Sequence, residues 1–224
     1  MLTRLYRKLR ALAAPSPPEL SVRDAYARWA PSYPAEAHNP FMQVEQQALL
    51  DLLPDVAGAI VLDLACGTGR YARIARARGA AAAIGLDLSP QMLQRAGGAA
   101  TAVVRGDLAA LPFRGGAAGV VICGLALGHL ARLDGALGEI GRVLAPGGTV
   151  VYSDFHPLTY RAGRRRTFEA GGRCFAVEHH PHPVPVHEAA CRGAGLQIEA
   201  VGEAGKDEDG LPAVLVIRAR KGAK

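Results

Sequence analysis

The sequence predicts an α/β fold in which a mostly parallel sheet is covered by helices on both faces. Two observations support this: the alternation of strand and helix patterns, and a hairpin pattern in the last third of the chain. From residue 60 onward, short apolar runs alternate with helical patterns, an order typical of parallel strands joined by helical crossovers. The last third differs, since apolar runs flank Gly171-Gly172 in a hairpin pattern. A chain of 224 residues with 50% hydrophobic content can bury one substantial core, so we expect a single domain.

The individual elements follow from the same patterns. Two helices are expected first, at about 21–30 and 41–53, and Ser21 is a suitable N-cap for the first of them. The alternating part predicts strands at 60–65, 82–87, 101–105, 118–123 and 148–153, with helices at 69–78, 90–97 and 131–144. A short helix at 186–194 and strands at 197–202 and 213–219 complete the chain.

The N-terminal 20 residues have a different composition. They carry basic residues without an acid up to residue 18, and leucines recur there at helical spacing: Arg4, Arg7, Lys8, Arg10, and Leu2, Leu5, Leu9, Leu12. Such a segment can lie on an anionic membrane surface or remain a solvated arm. Prolines 15, 17 and 18 end any helix. We therefore expect a flexible basic arm over 1–20, with peripheral membrane contact through 1–14 as the alternative, and one domain over 21–224.

Composition also limits the class of protein. No run of 18 apolar residues is present, so no membrane-spanning helix is expected. The cysteines are scattered without a Cys-x-x-Cys pair, which argues against a structural zinc site or a disulfide framework and favours a reducing compartment: Cys66, Cys123, Cys174 and Cys191. We expect a cytoplasmic protein.

The stretch 60–72 carries the strongest functional signal. An apolar strand runs into the turn Gly67-Thr68-Gly69, where backbone N–H groups can approach a ligand closely. The spacing also fits a dinucleotide fingerprint. However, Asp63 inside the strand would repel a pyrophosphate and attract an ammonium group. Asp87, at the end of the next strand, can accept both hydroxyls of a ribose. These residues favour a nucleoside with a cationic tail, such as S-adenosylmethionine (SAM).

Four motifs then resemble the class I SAM-dependent methyltransferases, in the same order and over about residues 21–155. They are Asp63-Leu-Ala-Cys-Gly-Thr-Gly69, Gly85-Leu-Asp-Leu-Ser-Pro-Gln-Met-Leu93, Gly106-Asp-Leu-Ala-Ala-Leu-Pro-Phe113 and Gly141-Arg-Val-Leu-Ala-Pro-Gly-Gly-Thr149. Within that family, the ubiquinone/menaquinone C-methyltransferases and the malonyl-carrier-protein O-methyltransferases look most similar. The resemblance implies a Rossmann-like, seven-stranded, mostly parallel sheet that ends in an antiparallel hairpin. A small hairpin lid over about 156–185 is also expected.

The resemblance also implies SAM as the cofactor, with S-adenosylhomocysteine (SAH) as the product. It assigns cofactor binding to residues at the ends of successive strands, together with an aromatic residue that folds over the site: Asp63, Ala65, Gly67, Gly69, Asp87, Leu88, Met92, Asp107, Leu108, Gly124, Leu125 and Tyr33. Asp87 would accept the ribose hydroxyls, Asp107 the adenine amino group, and Leu108 would pack on the adenine ring.

Three side chains are candidate catalytic groups at the predicted site edge: His129, His156 and Tyr33. A lone histidine is more often structural than functional. Histidines and arginines also cluster over 156–187. A metal site is not expected, because no acid or cysteine completes a ligand set. The arginines could attract an anionic substrate, and a solvated basic hairpin is the alternative.

The sequence thus predicts a SAM-dependent methyltransferase for a small-molecule or carrier-bound, in some cases anionic, acceptor on O, N or C. Nucleic acid is not the expected substrate, since the Asp/Asn-Pro-Pro-Tyr/Phe motif and the Pro-Cys nucleophile are missing after the fourth strand. Two alternatives stay open. One is an RNA or protein methyltransferase that uses the basic patches, and the other is a non-catalytic SAM-binding protein. Oligomeric state is not predicted.

Overall fold

A computed structural model describes residues 16–223 of the protein. Residues 1–14, the basic segment for which membrane contact was considered, lie outside the described residues. No helix in the described range is long and apolar enough to cross a membrane.

The main sheet has seven strands in the order β4-β3-β2-β5-β6-β10-β9. The strands are β2 (Ile60–Leu64), β3 (Ala82–Asp87), β4 (Ala102–Arg105), β5 (Ala118–Gly124), β6 (Leu144–Phe155), β9 (Leu196–Lys206) and β10 (Pro212–Lys221). Strands β2 to β6 pair in parallel, whereas β10 pairs antiparallel with both β6 and β9. The predicted seven-stranded, mostly parallel sheet with a final antiparallel hairpin is therefore confirmed.

Helices cover both faces of this sheet, as predicted. They are α1 (Val22–Trp29), α2 (Pro40–Leu52), α3 (Arg70–Ala77), α4 (Pro90–Arg95), α5 (Asp134–Val143), α6 (Pro157–Arg161) and α7 (Val184–Gly193). One buried core joins α5 and α7 to the sheet and includes Leu137 and Ile140. A second core on the opposite face joins α2 and α3 to it and includes Leu49 and Ala72. This two-sided packing leaves the carboxyl ends of the parallel strands open to form a site.

A second, three-stranded sheet contains the predicted hairpin. Its strands are β1 (Glu19–Leu20), β8 (Arg173–Val177) and β7 (Thr167–Ala170), in the order β1-β8-β7. Backbone pairing begins at Pro18, whose carbonyl accepts from Ala176, a few residues before the domain boundary expected at 21. The hairpin packs on α1 through a small core that contains Phe168 and Phe175. It is thereby placed beside the edge of the main sheet that carries the motifs.

Candidate active site

A cavity of about 270 Å³ lies at the carboxyl ends of β2, β3 and β5. Ten of the twelve predicted cofactor-binding residues line it: Asp63, Ala65, Gly67, Asp87, Leu88, Asp107, Leu108, Gly124, Leu125 and Tyr33. His129 lines it as well. The motifs lie far apart in sequence, and the parallel sheet brings them to one edge.

The glycine loop and the acid of the next strand are directly connected. The Gly67 N–H donates to Asp87 Oδ2 at 2.8 Å, and the Ser89 N–H donates to Asp87 Oδ1, also at 2.8 Å. Burial raises the pKa of Asp87. Each carboxylate oxygen has a second lone pair, so Asp87 can accept further hydrogen bonds from a ligand in the cavity. Gly67 has φ +55°, a left-handed conformation that favours glycine.

Asp63 serves the loop and the helix that follows it. Its Oδ2 accepts from the Ala72 N–H at 2.8 Å, in the first turn of α3, and its side chain is 1% exposed. Burial raises its pKa to about 7. The first turn of α3 is therefore already satisfied by a carboxylate, which disfavours a pyrophosphate at this turn.

Two leucines give another part of the cavity wall an apolar character. Leu88 is 40% exposed and lies at the cavity with Leu108. Asp107 belongs to a tight turn, in which its Oδ1 accepts from the Ala109 N–H at 2.9 Å. Gly106 has no room for a side chain, because a Cβ there would lie 2.7 Å from Leu86 Cδ1. The two leucines and the turn acid suit a planar, polar-edged ring such as a purine.

The backbone is strained where the loops after β2 and β5 meet the cavity. Ala65 and Leu125 have φ of +52° and +57°, the only two positive values among the described non-glycine residues. Such conformations cost about 1 kcal/mol or more and persist where surrounding contacts hold them. At Leu125 the N–H donates to the Ser153 carbonyl at 2.9 Å.

A buried network of hydrogen bonds contacts this strained segment through Ser153. Glu45 of α2 is fully buried and accepts from the Tyr71 hydroxyl at 2.6 Å, from Arg70 Nη2 at 2.8 Å and from the Ser153 hydroxyl. The ring of Tyr71 fills the space beside Gly124, where a Cβ would lie 2.5 Å from Tyr71 Cε2. Buried charges are tolerated when they are paired and hydrogen-bonded in this way.

Aromatic residues of the N-terminal segment cover the glycine loop. A Cβ on Gly67 would lie 4.0 Å from Tyr33 Cε1, and the Thr68 hydroxyl donates to the Pro34 carbonyl at 3.1 Å. Tyr33 also makes an edge-to-face contact with Trp29, with ring centroids 4.7 Å apart. Tyr33 thus lies where the sequence predicted it, over the loop.

His129 lines the cavity, but its protonation state and its hydrogen bonds limit its use as a general base. Its Nδ1 is 2.9 Å from the Glu178 carbonyl, which can only accept, so Nδ1 carries the proton. Its Nε2 then accepts from the Tyr26 hydroxyl at 3.0 Å and from Arg166 Nη1 at 3.2 Å. Burial, and next the charge of Arg166, lower the pKa of His129 to about 3. The ring is therefore neutral, and its acceptor nitrogen is already engaged.

Three predicted site residues do not line the cavity. His156 is 3% exposed and caps α6, with its Nδ1 accepting from the Leu158 N–H and its Nε2 3.2 Å from Glu203 Oε1. Gly69 is the left-handed N-cap of α3, and Met92 is the buried residue of α4. His156 follows β6 directly, but its side chain caps α6 and does not line the cavity, so its catalytic role stays a prediction.

Sequence reasoning missed several residues that shape the site: Tyr26, Arg166, Glu45, Arg70 and Tyr71. Tyr26 and Trp29 have the i, i+3 spacing of one helix face, which is more typical of core aromatics than of site residues. A glutamate inside the mostly apolar face of α2 was the available signal for Glu45, which pairs with Arg70. Nothing local marked Arg166 among its neighbouring arginines. Within the described residues, no three His, Cys, Asp or Glu side chains are grouped so as to hold a metal ion.

Comparisons with known proteins agree with this geometry. Residues 62–152 match the family described as "Methyltransferase domain". A solved SAM-dependent methyltransferase from Mesorhizobium loti shares 27% identity and superimposes with a TM-score of 0.67, covering 79% of this chain and 97% of that one. In its fold and over this matched region, the chain is similar to the class I SAM-dependent methyltransferases, whose cofactor is SAM.

Two relatives have names that state an activity. A demethylmenaquinone methyltransferase of Thermus thermophilus is 37% identical over 48% of this chain and 52% of its own length. A malonyl-[acyl-carrier protein] O-methyltransferase of Pectobacterium atrosepticum is 33% identical over 59% of this chain and 52% of its own length. The matches thus span about half the length of these relatives.

Proposed function

We propose that the protein transfers the methyl group of SAM to a small-molecule or carrier-bound acceptor. The observation that carries the proposal is the contact between Asp87 and the Gly67 N–H, which joins the ends of β2 and β3 at the wall of the cavity. A carboxylate there suits a ribose, and a turn without phosphate-binding character suits a nucleoside that carries no phosphates.

The residues present fit both the charged and the apolar parts of SAM. Asp63 and Asp87 place acidic character beside the glycine loop, where a cationic amino-acid group would be stabilised. Leu88 and Leu108 provide apolar lining, and Asp107 lines the cavity as well. Tyr33 covers the loop. When bound, SAM supplies a methyl group already activated on a sulfonium sulfur, so the protein chiefly provides alignment and a dry site.

Of the three candidate catalytic groups, Tyr33 and His129 border the cavity, and they would act differently. The Nε2 of His129 accepts two hydrogen bonds and its pKa is lowered to about 3, so we assign it the positioning of Tyr26 and Arg166 rather than proton removal. Tyr33 is the candidate for contact with the cofactor and the acceptor. His156 stabilises the start of α6.

We also propose a cytoplasmic location. The four described cysteines are all unpaired, which is usual in a reducing compartment.

Calorimetric titration with SAH and NADH tests the proposal. We expect micromolar SAH binding by the wild-type protein and a loss of at least about tenfold in Asp87→Ala, since charge-assisted hydrogen bonds to the ribose disappear. Asp87→Asn keeps an oxygen for the Gly67 N–H and separates folding from ligand binding. Asp51→Ala, which removes an exposed carboxylate outside the cavity, is the matched control. Preferential NADH binding, or equal SAH affinity in all variants, would contradict the proposal.

A further inference from the structure

We propose that a second cavity, adjoining the first, holds the methyl acceptor, and that it selects an acceptor with an apolar body and an anionic group. This inference rests on the proposed function. The second cavity measures about 510 Å³ and lies between α2, the arginine segment 164–166 and the turn at 205–207. Leu125 and Arg166 line both cavities. The two spaces therefore meet at the strained end of β5.

The residues at this meeting point are held in place. Arg166 Nη1 donates to the Leu125 carbonyl at 2.6 Å and lies 3.2 Å from His129 Nε2. Its guanidinium carbon is 5.8 Å from the ring centroid of Tyr26. Arg166 is only partly exposed, whereas the neighbouring Arg165 is exposed, so Arg166 forms part of the wall between donor and acceptor. It is therefore not the group that is free to bind an incoming anion.

Aromatic side chains form the apolar part of the second cavity. Phe41 of α2 and Phe155 at the end of β6 have ring centroids 5.6 Å apart, and Trp29, the last residue of α1, lines the cavity as well. The indole of Trp29 is itself stacked on Phe168 of the hairpin, with centroids 4.8 Å apart. Rigid aromatic walls favour a planar or aliphatic body over a strongly polar one.

The cations around this cavity differ in whether they are already paired. Arg164 is neutralised by acids of one surface turn, at 3.3 Å from Asp207 and 2.8 Å from both Glu208 and Asp209. By contrast, Arg165 donates to the backbone carbonyls of Tyr160 and Arg164 and stacks on the Tyr160 ring at 4.3 Å.

Lys206 is the second cation that lacks an acidic partner. It is exposed, and it lines the same cavity as Arg165. The ion pairs found within residues 16–223 include neither of these two side chains. Two cations without carboxylate partners beside an aromatic cavity provide charge-assisted hydrogen bonds for a carboxylate or a phosphate. The structure thus assigns recognition of the acceptor's anionic group to Arg165 and Lys206.

The single tryptophan of the chain, Trp29, lines this cavity and reports its occupancy by fluorescence. Three nitroaromatic quenchers of similar size serve as probes: 4-nitrobenzoate, 4-nitrophenyl phosphate and the uncharged 4-nitrobenzamide. We expect saturable quenching by at least one anion, with an apparent affinity about tenfold or more above that of the amide. Comparing the two anions distinguishes a carboxylate site from a phosphate site.

Paired variants test the assignment to Arg165 and Lys206. Arg165→Gln/Lys206→Gln should reduce the preference for the anion over the amide to less than about threefold and leave amide binding unchanged. Arg114→Gln/Arg192→Gln removes two exposed cations outside both cavities and should retain the wild-type preference. The inference is overturned if the wild type binds all three probes alike, if neither anion quenches saturably, or if both double variants lose the preference equally.

A parallel SAH titration of the same variants separates this inference from the proposed function. SAH affinity should be unchanged in Arg165→Gln/Lys206→Gln, because neither residue lines the first cavity. Absence of SAH binding in the wild type would remove the proposed function but leave the anion preference of the second cavity to be judged by its own measurement.

Discussion

Burial and two hydrogen bonds determine the protonation state of His187. Its side chain lies in the core between α7 and β6 and is 1% exposed. Nε2 is 3.2 Å from the His182 carbonyl and therefore carries the proton, while Nδ1 accepts from the Tyr152 hydroxyl at 3.3 Å. Burial, and next the nearby His182, lower the pKa of His187 to about 4. The ring remains neutral in the folded protein under mildly acidic conditions.

This state predicts a defined dependence of stability on pH. Unfolded histidine gains a proton below a pKa of about 6.5, whereas folded His187 does so only near 4. Between these values the unfolded state binds more protons, so stability is lost as the pH falls from 7 towards 4. We expect the wild-type protein to lose about 1–2 kcal/mol more than His187→Gln between pH 7 and pH 5 in urea unfolding.

Comparison of slopes makes this measurement specific. Asp63 and Asp154, whose pKa values burial raises to about 7 and about 6, contribute the opposite slope, but they are present in both proteins and cancel in the difference. The exposed His38 supplies a matched control, since His38→Gln should keep the wild-type slope. Identical slopes for the wild type and His187→Gln would show that His187 is not held neutral.

Two glycines of one helix differ in what surrounds them. Gly141 lies where α5 crosses the end of α7, and a Cβ there would lie 2.3 Å from the Ala194 carbonyl oxygen. Gly138, one turn earlier, faces open space, with no atom within 4 Å of a built Cβ. Gly141 therefore permits close approach of two elements, while Gly138 only weakens the helix.

The same substitution should thus have opposite effects at these two positions. Gly138→Ala should raise the free energy of unfolding by about 0.5–1 kcal/mol, because alanine loses less backbone entropy in a helix. Gly141→Ala should lower it by about 1–3 kcal/mol, because the backbone of α7 must move. Denaturant unfolding of the two variants checks this. A stabilising Gly141→Ala would show that α5 and α7 pack more loosely than described.

The elements themselves were largely predictable from the sequence, because their signals are local. The apolar run 82–87 is the observed β3, and the pattern at 90–97 began at the correct residue, since Ser89 caps α4 through the Met92 N–H. Other boundaries depend on distant contacts. The helix expected from 131 begins at Asp134, after a short turn at Leu127–His129. The pairing of β1 with β8 joins segments too distant for any local pattern to reveal.

The arrangement of the whole molecule explains why part of the site was not predicted from the sequence. Asp87, Gly67 and Leu125 follow their strands directly, and the parallel sheet brings strand ends together without further information. Tyr26, Glu45 and Arg166 reach the same edge from α1, α2 and the hairpin. Their positions result from packing between elements, and one sequence does not encode that packing in a local pattern. His156 shows the converse case: it follows its strand directly, but its side chain caps α6 and does not line the cavity.

At the level of the whole molecule, two adjoining cavities share the lining residues Leu125 and Arg166. The first would hold the methyl donor and the second the acceptor, so that methyl transfer occurs where they meet. The charge distribution agrees with this division, since Asp63 and Asp87 border the first cavity and Arg165 and Lys206 border the second.

A crystal structure of the protein with bound SAH tests whether the two cavities have these roles. We expect the ribose hydroxyls within hydrogen-bond distance of Asp87 and the purine beside Leu88 and Leu108. We also expect the sulfur near Leu125, at the opening towards the second cavity. SAH bound outside the first cavity, or with its sulfur directed away from Leu125, would show that the cavities do not have these roles.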